Sequence, residues 1–324
     1  MRAAVCAAYG PPENVTVEDV PDPVAADGQV VVDITAAAVN FPDVLIVADR
    51  YQWHAEVPFI PGSEFAGTVR EVGPGVSLAV GDRVMGASMV GAFAERIAVA
   101  ARSVEAVAPS VDLRLAAAFG VAHRTAYHAL RSMADVQPGE WVVVLGAAGG
   151  VGLAAVEVAH LLGAKVLAAA SSPEKLAVCE AKGADALVNY STEDLKERIR
   201  EVTGAGADVV VDPVGGPFTE QALRSTRFGG RFLTLGFASG EIPRLPLNLV
   251  LLKGPILTGF TLEGFSRNRP DDEARDRREL LELLAEGKLV PHISASYPLE
   301  GSPDALRQVA ERRATGKVLV EPGG

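Results

Sequence analysis

Length, composition and charge limit the kinds of protein that this chain can be. Its 324 residues suit two domains better than one core. Hydrophobic residues make up 48% of the chain and charged residues 22%, a profile that excludes a disordered protein. The net charge of −11 provides no general attraction for nucleic acid or for an anionic membrane, so neither is expected as a partner.

Cysteine content and hydropathy indicate the cellular compartment. The two cysteines, Cys6 and Cys179, exclude a disulfide framework and a four-cysteine zinc site. The sequence opens without a charged-then-apolar signal segment, and no apolar run reaches the roughly 18 residues of a membrane helix. We therefore expect a protein of the reducing cytoplasm.

The first hundred residues have the pattern of a β-rich domain. Short β-branched runs such as "QVVVDITAAAV" predict strands, and glycine and proline interrupt them in "YGPPEN", "VPDPVAADG" and "VGDRV". This alternation of short strands and turns predicts a small barrel or sandwich.

The pattern changes near Ala116, and from Pro138 to about Phe260 strands alternate with helices. The predicted strands are "WVVVLG", "KVLAAA", "DALVNY", "ADVVVD" and "GRFLTLG". The predicted helices are "VGLAAVEVAHLLGA", which stops at Gly163, and "PEKLAVCEAKGA", which starts with a proline. This alternation predicts an α/β fold with a doubly wound parallel sheet.

The last sixty residues predict a return to the first domain. The charged stretch "SRNRPDDEARDRREL" predicts an amphipathic helix that ends at Gly287, and "HISASYPLE" and "GKVLVEP" are again strand-like. We therefore predict one domain from residues 1–117 and 262–324, and a dinucleotide-binding domain from residues 118–261.

A glycine-rich loop, "GAAGGVG", lies between the first predicted strand and helix of the dinucleotide-binding domain. A helix N-terminus offers free N–H groups and a positive dipole end to a pyrophosphate. The predicted contacts are Gly149, Gly150, Val151 and Gly152, whereas Ala147 replaces the first glycine of the usual fingerprint and is tolerable if its φ is negative. The alternative is a glycine-rich turn that only joins a strand to a helix.

The end of the second strand of this domain indicates which dinucleotide is bound. An NAD site usually places an acidic residue there, to bind the ribose 2′-hydroxyl. This chain instead has Ser171, Ser172 and Lys175, which suit a 2′-phosphate. The prediction is NADPH; the alternative is that Ser172 is a helix cap and Lys175 a solvated side chain.

Together these segments carry a family resemblance that runs in order over essentially the whole chain. The motifs are "NFPDVLIVADRYQ", "VPFIPGSEFAGTV", "GDRVMG", "GAAGGVGLAAVEVAHLLGA", "DVVVDPVGG", "GFASGEIP" and "ATGKVLV". They resemble the quinone oxidoreductase branch of the medium-chain dehydrogenase/reductase superfamily, which includes zeta-crystallin. The resemblance implies a GroES-like catalytic domain that is split in sequence, a Rossmann-type cofactor domain, a cleft between them and a homodimer.

The zinc alcohol dehydrogenases of the same superfamily differ at two positions. Those enzymes have a cysteine in the region of Asn40 to Asp43 and a histidine where this chain has Ser63. Weak oxygen ligands do not hold Zn²⁺ as thiolate and imidazole do, so we expect no catalytic metal. Without a Lewis acid, the expected substrate is a quinone or another activated conjugated carbonyl. The alternatives are a 2-alkenal or enoyl-thioester reductase and an NADPH-binding structural or regulatory protein with little turnover.

The resemblance also implies roles for single residues. It places Asn40 and Tyr51 at the catalytic site, where either could donate a hydrogen bond to the developing enolate oxygen. Asp43 and Glu64 are expected to be structural, and the five histidines to serve in packing or at the surface. The remaining cofactor contacts implied are Asn40, Thr125, Tyr190, Val214, Gly236, Phe237, Phe260 and Lys317, of which Lys317 would reach the 2′-phosphate or be a surface lysine.

Overall fold

The structure, a computed structural model, describes residues 1–323. It divides into two compact units: unit 1 comprises Met1–Val121 and the segment that begins at Val290, and unit 2 comprises Ala122–Leu289. Within the described residues, no helix combines the length and the apolar character needed to cross a membrane.

Unit 1 contains nine strands, which are β1 (Arg2–Cys6), β2 (Val15–Asp19), β3 (Gln29–Val39), β4 (Glu64–Val72), β5 (Arg83–Ala87), β6 (Arg96–Ala100), β7 (Val104–Ala106), β14 (Ile293–Pro298) and β15 (Lys317–Glu321). Seven of the nine form one sheet with the order β14-β15-β3-β4-β5-β7, in which β6 also pairs with β3. All of these pairings are antiparallel except that of β14 with β15. A separate antiparallel pair is formed by β1 and β2.

Two helices lie wholly within unit 1, α1 (Phe41–Val47) and α10 (Ser302–Ala310), and α2 (Leu113–Tyr127) contains the first boundary between the units. The core packs the inward side chains of β3 and β4, such as Val30, Val32 and Phe65, against helix α10. The sequence segments that follow residue 290 thus complete the first sheet, because β15 pairs with β3.

Unit 2 contains the strands β8 (Trp141–Leu145), β9 (Lys165–Ala170), β10 (Ala186–Asn189), β11 (Ala207–Asp212), β12 (Thr226–Thr234) and β13 (Ile256–Gly259). They form a six-stranded parallel sheet with the doubly wound order β10-β9-β8-β11-β12-β13. Val142, Val143 and Val144 in its centre are fully buried, as expected for a strand covered on both faces. The helices are α3 (Gly150–Leu161), α4 (Pro173–Ala181), α5 (Leu195–Thr203), α6 (Pro217–Arg224), α7 (Asn248–Lys253), α8 (Leu262–Asn268) and α9 (Pro270–Ala285).

The second boundary differs from the sequence prediction. The sequence predicts that residues 262–289 belong to the first domain, whereas in the structure helices α8 and α9 belong to unit 2. Two contacts explain this: the His128 ring stacks on Phe265 of α8 at 4.4 Å, and its Nδ1 lies 2.8 Å from Asp276 of α9. His128 and Asp276 are fully buried, and their pairing anchors α9 to the π-helical segment His128–Met133, while the stacking on Phe265 anchors α8 to it. Amphipathicity predicted the helix but not the surface against which it packs.

Candidate functional site

The glycine-rich loop of unit 2 joins β8 to α3. In it the backbone of Gly146 passes close to that of Gly152, an approach called the close crossing below. Gly146 turns with φ of 56°, and its O atom is 2.3 Å from where a Cβ on Gly152 would lie. A side chain at either position would displace the loop, since a Cβ on Gly146 would also meet Val214 Cγ2 at 2.5 Å. Ala147 is buried with φ outside the positive region, so a methyl group is accepted where the fingerprint has glycine.

Two further loops meet this one at the carboxyl ends of the strands. After β11, the buried carboxylate of Asp212 accepts hydrogen bonds from the N–H groups of Val214 and Gly215 at 2.9 and 2.8 Å. After β12, Ser239 N–H donates to Val214 O, which ties the loop that contains Gly236 and Phe237 to the first one. The structure therefore brings together the predicted contacts around β8, β11 and β12. This is the switch point of the strand order, where doubly wound sheets bind ligands.

The predicted 2′-phosphate group of residues is also assembled. Lys175 Nζ lies 3.2 Å from Ser171 Oγ at the end of β9, and Ser172 caps helix α4 by accepting from Lys175 N–H. Ser191, which the sequence analysis did not identify, joins them by donating to Ser171 O at 3.0 Å. A hydroxyl–ammonium cluster at a helix N-terminus suits a phosphate dianion.

The other predicted cofactor residues of unit 2 lie in different surroundings. Tyr190 follows β10 directly and packs its ring on Phe218, with centroids 4.3 Å apart. Thr125 is half-buried on α2, which is held to α3 by the 3.0 Å contact between His123 and Glu157. Phe260 is buried, with its ring 5.7 Å from that of Phe265, so its side chain packs inside the unit.

Unit 1 contains a buried cluster of ionisable and amide groups. Lys317 Nζ donates to Asn40 Oδ1 at 2.7 Å and to Glu64 Oε2 at 2.8 Å. Asn40 Nδ2 donates to the same Glu64 oxygen at 3.0 Å, and Glu64 Oε1 accepts from Val121 N–H at 2.7 Å. All three side-chain residues of this network are at most 8% exposed. The Lys317–Glu64 pair is thus a desolvated ion pair whose remaining hydrogen-bonding capacity is used by neighbours.

Asp43 forms the edge of this cluster. Its Oδ2 accepts from Asn40 N–H at 2.7 Å and so caps the start of helix α1. Burial raises the pKa of Asp43 to about 7, against the opposing effect of the Asn40 N–H. The interpretation of Asp43 and Glu64 as structural carboxylates agrees with these contacts.

One expectation about this cluster needs correction. The sequence predicts that Lys317 reaches a phosphate or is a surface lysine, but it is buried and its ammonium binds Asn40 and Glu64. The Asn40 amide donates to Glu64 from Nδ2, which leaves its role as a donor to substrate a prediction. The spacing of residues 40, 64 and 317 in the sequence carries no signal for this contact, which arises because β15 and β4 flank β3.

The second predicted catalytic residue, Tyr51, has a different environment. It is half-buried in the loop after α1 and packs against the core of unit 1. The loop turns at Asp49, which has a φ of 54°, and carries the exposed Trp53 beyond the tyrosine. Tyr51 thus packs its aromatic ring on the core while the residue as a whole stays partly accessible to solvent.

The side chains around Asn40 and Ser63, the two positions at which zinc alcohol dehydrogenases differ from this chain, do not fit a zinc ion. Asn40 Oδ1 and Glu64 Oε2 both bind the Lys317 ammonium, whose positive charge opposes a second cation there. Among residues 1–323, no three His, Cys, Asp or Glu side chains form a group that could hold a metal.

Two protein-family models match this chain, one in each of its two units. The family model for the alcohol dehydrogenase GroES-like domain matches residues 26–109, and the model for zinc-binding dehydrogenases matches residues 150–286. These matches, together with the two sheets, confirm the predicted fold class of a Rossmann-type and a GroES-like domain.

Relatives match along the full length. Quinone oxidoreductase-like protein 2 of Bos taurus is 38% identical over 322 residues, covering 98% of this chain and 92% of the relative. The crystal structure of Escherichia coli quinone oxidoreductase complexed with NADPH has a TM-score of 0.93 at 28% identity, covering 99% of this chain and 100% of the other. A probable oxidoreductase from Mycobacterium abscessus has a TM-score of 0.89 at 35% identity, covering 99% of both chains.

Proposed function

Because this chain belongs to the quinone oxidoreductase branch of the medium-chain dehydrogenase/reductase superfamily, we propose that it reduces quinones or similarly activated conjugated carbonyls with NADPH. It is an oxidoreductase of that superfamily. The observation that carries the proposal is the cluster of Lys175, Ser171 and Ser172 beside the glycine-rich loop, which fits a phosphorylated dinucleotide.

The cofactor is NADPH, and when bound it supplies a hydride. The close crossing of Gly146 and Gly152 leaves the α3 N-terminus open to a pyrophosphate, and Asp212 fixes the neighbouring loop. We expect Lys175→Ala to raise the KM for NADPH about tenfold or more while the KM for NADH stays within a factor of about two, since only NADPH carries the 2′-phosphate. Lys165→Ala, an exposed lysine at the other end of β9, is the control. Equal effects on both cofactors would refute the assignment.

We propose that Tyr51 donates a hydrogen bond to the substrate oxygen on which negative charge develops. A hydroxyl in place before the reaction stabilises that charge without reorganisation. Tyr51→Phe should lower kcat/KM for 1,4-naphthoquinone about tenfold or more and leave NADPH affinity unchanged. Tyr297→Phe, which removes a hydroxyl bonded to Gln308 elsewhere in unit 1, is the matched control. An unchanged kcat/KM for Tyr51→Phe would eliminate the donor role.

A panel of acceptors tests the substrate class. NADPH oxidation with 1,4-naphthoquinone and 9,10-phenanthrenequinone, compared with 2-alkenals and crotonyl-CoA, separates quinone reduction from reduction of alkenals or enoyl thioesters. The proposal predicts the highest kcat/KM for quinones. Tight NADPH binding without turnover of any acceptor would instead favour a binding or regulatory protein.

The reaction is proposed to run without zinc. The support is the Lys317 ammonium, a buried positive charge that binds Asn40 and Glu64. Full activity after dialysis against a chelator, with less than about 0.1 zinc per chain by mass spectrometry, is the expected result. One tightly bound zinc per chain whose removal abolishes activity would refute this part of the proposal.

We propose a homodimer that forms through unit 2. Its sheet ends at β13, an edge strand with unpaired backbone groups on one side. Around this edge, Phe228, Leu247, Leu251 and Leu252 are each more than 70% exposed, a liability on a monomer. Light scattering should give twice the chain mass of 33.7 kDa. Leu251→Glu should shift the protein to monomer, and a wild-type monomer would contradict the proposal.

A further inference from the structure

Lys317, the first residue of β15, contacts two of the side chains that the resemblance places at the catalytic site or beside it. Its buried ammonium lies 2.7 Å from Asn40 Oδ1 and 2.8 Å from Glu64 Oε2. We infer that Lys317, together with Glu64, is a positioning residue that holds the Asn40 amide in a single orientation toward the substrate. The kinetic consequence of this inference rests on the proposed function, whereas the orientation of the amide does not.

The orientation follows from what each neighbour can offer. A lysine ammonium only donates hydrogen bonds and an ionised carboxylate only accepts them. In the observed arrangement Asn40 turns Oδ1 to Lys317 and Nδ2 to Glu64, which satisfies both. Rotating the amide by 180° would set donor against donor and acceptor against acceptor in a desolvated site, where each unmet group is costly.

The fixed amide retains one N–H that is only weakly bonded. One hydrogen on Nδ2 is committed to Glu64 at 3.0 Å. The partners of the other are Ala38 O at 3.4 Å and Ser63 Oγ at 3.5 Å, the outer limit of a hydrogen bond. The ammonium on Oδ1 polarises the amide and strengthens its remaining donor. This second N–H is therefore the group that Lys317 aims at a ligand oxygen.

The backbone just before Lys317 adopts a conformation that only glycine permits. Gly316 turns with a φ of 63°, and a Cβ there would lie 2.2 Å from His292 O, so only glycine permits this entry into β15. The register then pairs Val318 with Val39, immediately before Asn40, and Ala38 with Glu64. Three neighbouring strands thus deliver the cluster to one end of the sheet.

Steady-state kinetics test the consequence for catalysis. Lys317→Gln removes the positive charge and shortens the side chain by one atom, so its amide does not hold Asn40 and Glu64 together as the ammonium does. We expect kcat with 1,4-naphthoquinone to fall about tenfold or more, and the KM for NADPH to change less than about threefold. Arg313→Gln, which removes an exposed cation paired with Glu311, should leave both unchanged. An unchanged kcat for Lys317→Gln would overturn the proposal.

A double-mutant cycle separates positioning from general stabilisation. If Lys317 acts through Asn40, then Lys317→Gln should cost little further in kcat once Asn40→Ala is present, at most about twofold. A purely structural lysine would lower kcat by the same factor in both backgrounds, and that additivity would refute the inference.

The orientation itself is tested without turnover. In protein labelled with ¹⁵N-asparagine, the Nδ2 signals of Asn40, assigned through Asn40→Asp, should be protected from exchange and should shift and lose protection in Lys317→Gln. Unchanged signals would refute positioning even if quinones are reduced. Absent wild-type turnover would instead refute the proposed function and leave this test valid.

A second variant keeps the test valid if Lys317→Gln does not fold. Lys317→Gln leaves the buried Glu64 charge without its partner, which is costly. Lys317→Met with Glu64→Gln removes both charges at nearly constant volume. The same fall in kcat and the same loss of Asn40 protection are expected for this variant. Retention of both wild-type values would refute the inference.

Discussion

Replacement of Asp43 by asparagine should make the stability of unit 1 less dependent on pH. Burial raises the pKa of Asp43 from 3.8 to about 7 in the folded protein. Between these values the folded state keeps a proton that the unfolded state has lost, so the wild type loses stability as pH rises from about 4 to 7. At about 1.4 kcal/mol for each pH unit, the total is about 4 kcal/mol, of which about 3 falls above pH 5.

Asparagine still accepts the Asn40 N–H but does not ionise. The free energy of unfolding of Asp43→Asn relative to wild type should therefore rise by about 2 kcal/mol between pH 5 and 7, by about 3 kcal/mol between pH 5 and 8, and stay level above pH 8. Guanidinium titrations in a Trp141→Phe background measure this, because Trp53 of unit 1 is then the only tryptophan. Asp27→Asn, at an exposed carboxylate, is the control. A difference that stays constant from pH 5 to 8 would refute the reasoning.

Three further substitutions test unit 2. Gly152→Ala should weaken NADPH binding about tenfold or more in a fluorescence titration, because its Cβ would lie 2.3 Å from Gly146 O; wild-type affinity would contradict the close crossing. Asp212→Ala should raise the Kd for NADPH and lower the melting temperature, since two loop N–H groups lose their acceptor, at about 1–3 kcal/mol. His128→Phe keeps the ring but loses the bond to Asp276, so urea unfolding should show a loss of about 1–3 kcal/mol, and an unchanged midpoint would show that the pair adds nothing.

Local pattern was sufficient for the elements and for the cofactor loop. The strand–glycine–helix order from Trp141 to Leu161 predicted both the parallel sheet and the glycine-rich loop at its centre, because periodicity and glycine steric demands act over a few residues. Ser171, Ser172 and Lys175 could be grouped for the same reason, since they are neighbours on one turn.

Contacts between distant segments could not be predicted in this way. The family resemblance pointed to Asn40 and Glu64, but the prediction for Lys317 was wrong. The reason is that local sequence does not give the register in which β15 pairs with β3. Helix α9 was likewise recognised, but its partner was not, since an amphipathic pattern defines an apolar face and not the surface that covers it.

The sequence alone thus determined the two kinds of sheet, the loop for a dinucleotide and the acidic surface, all of which depend on residue type and short-range spacing. Only the tertiary structure decided that the ammonium of Lys317 lies beside the Asn40 amide and that His128 anchors α8 and α9. The physical reason is that burying a charge or an imidazole requires its partners to arrive from other strands and helices, and strand order and register alone fix where they meet.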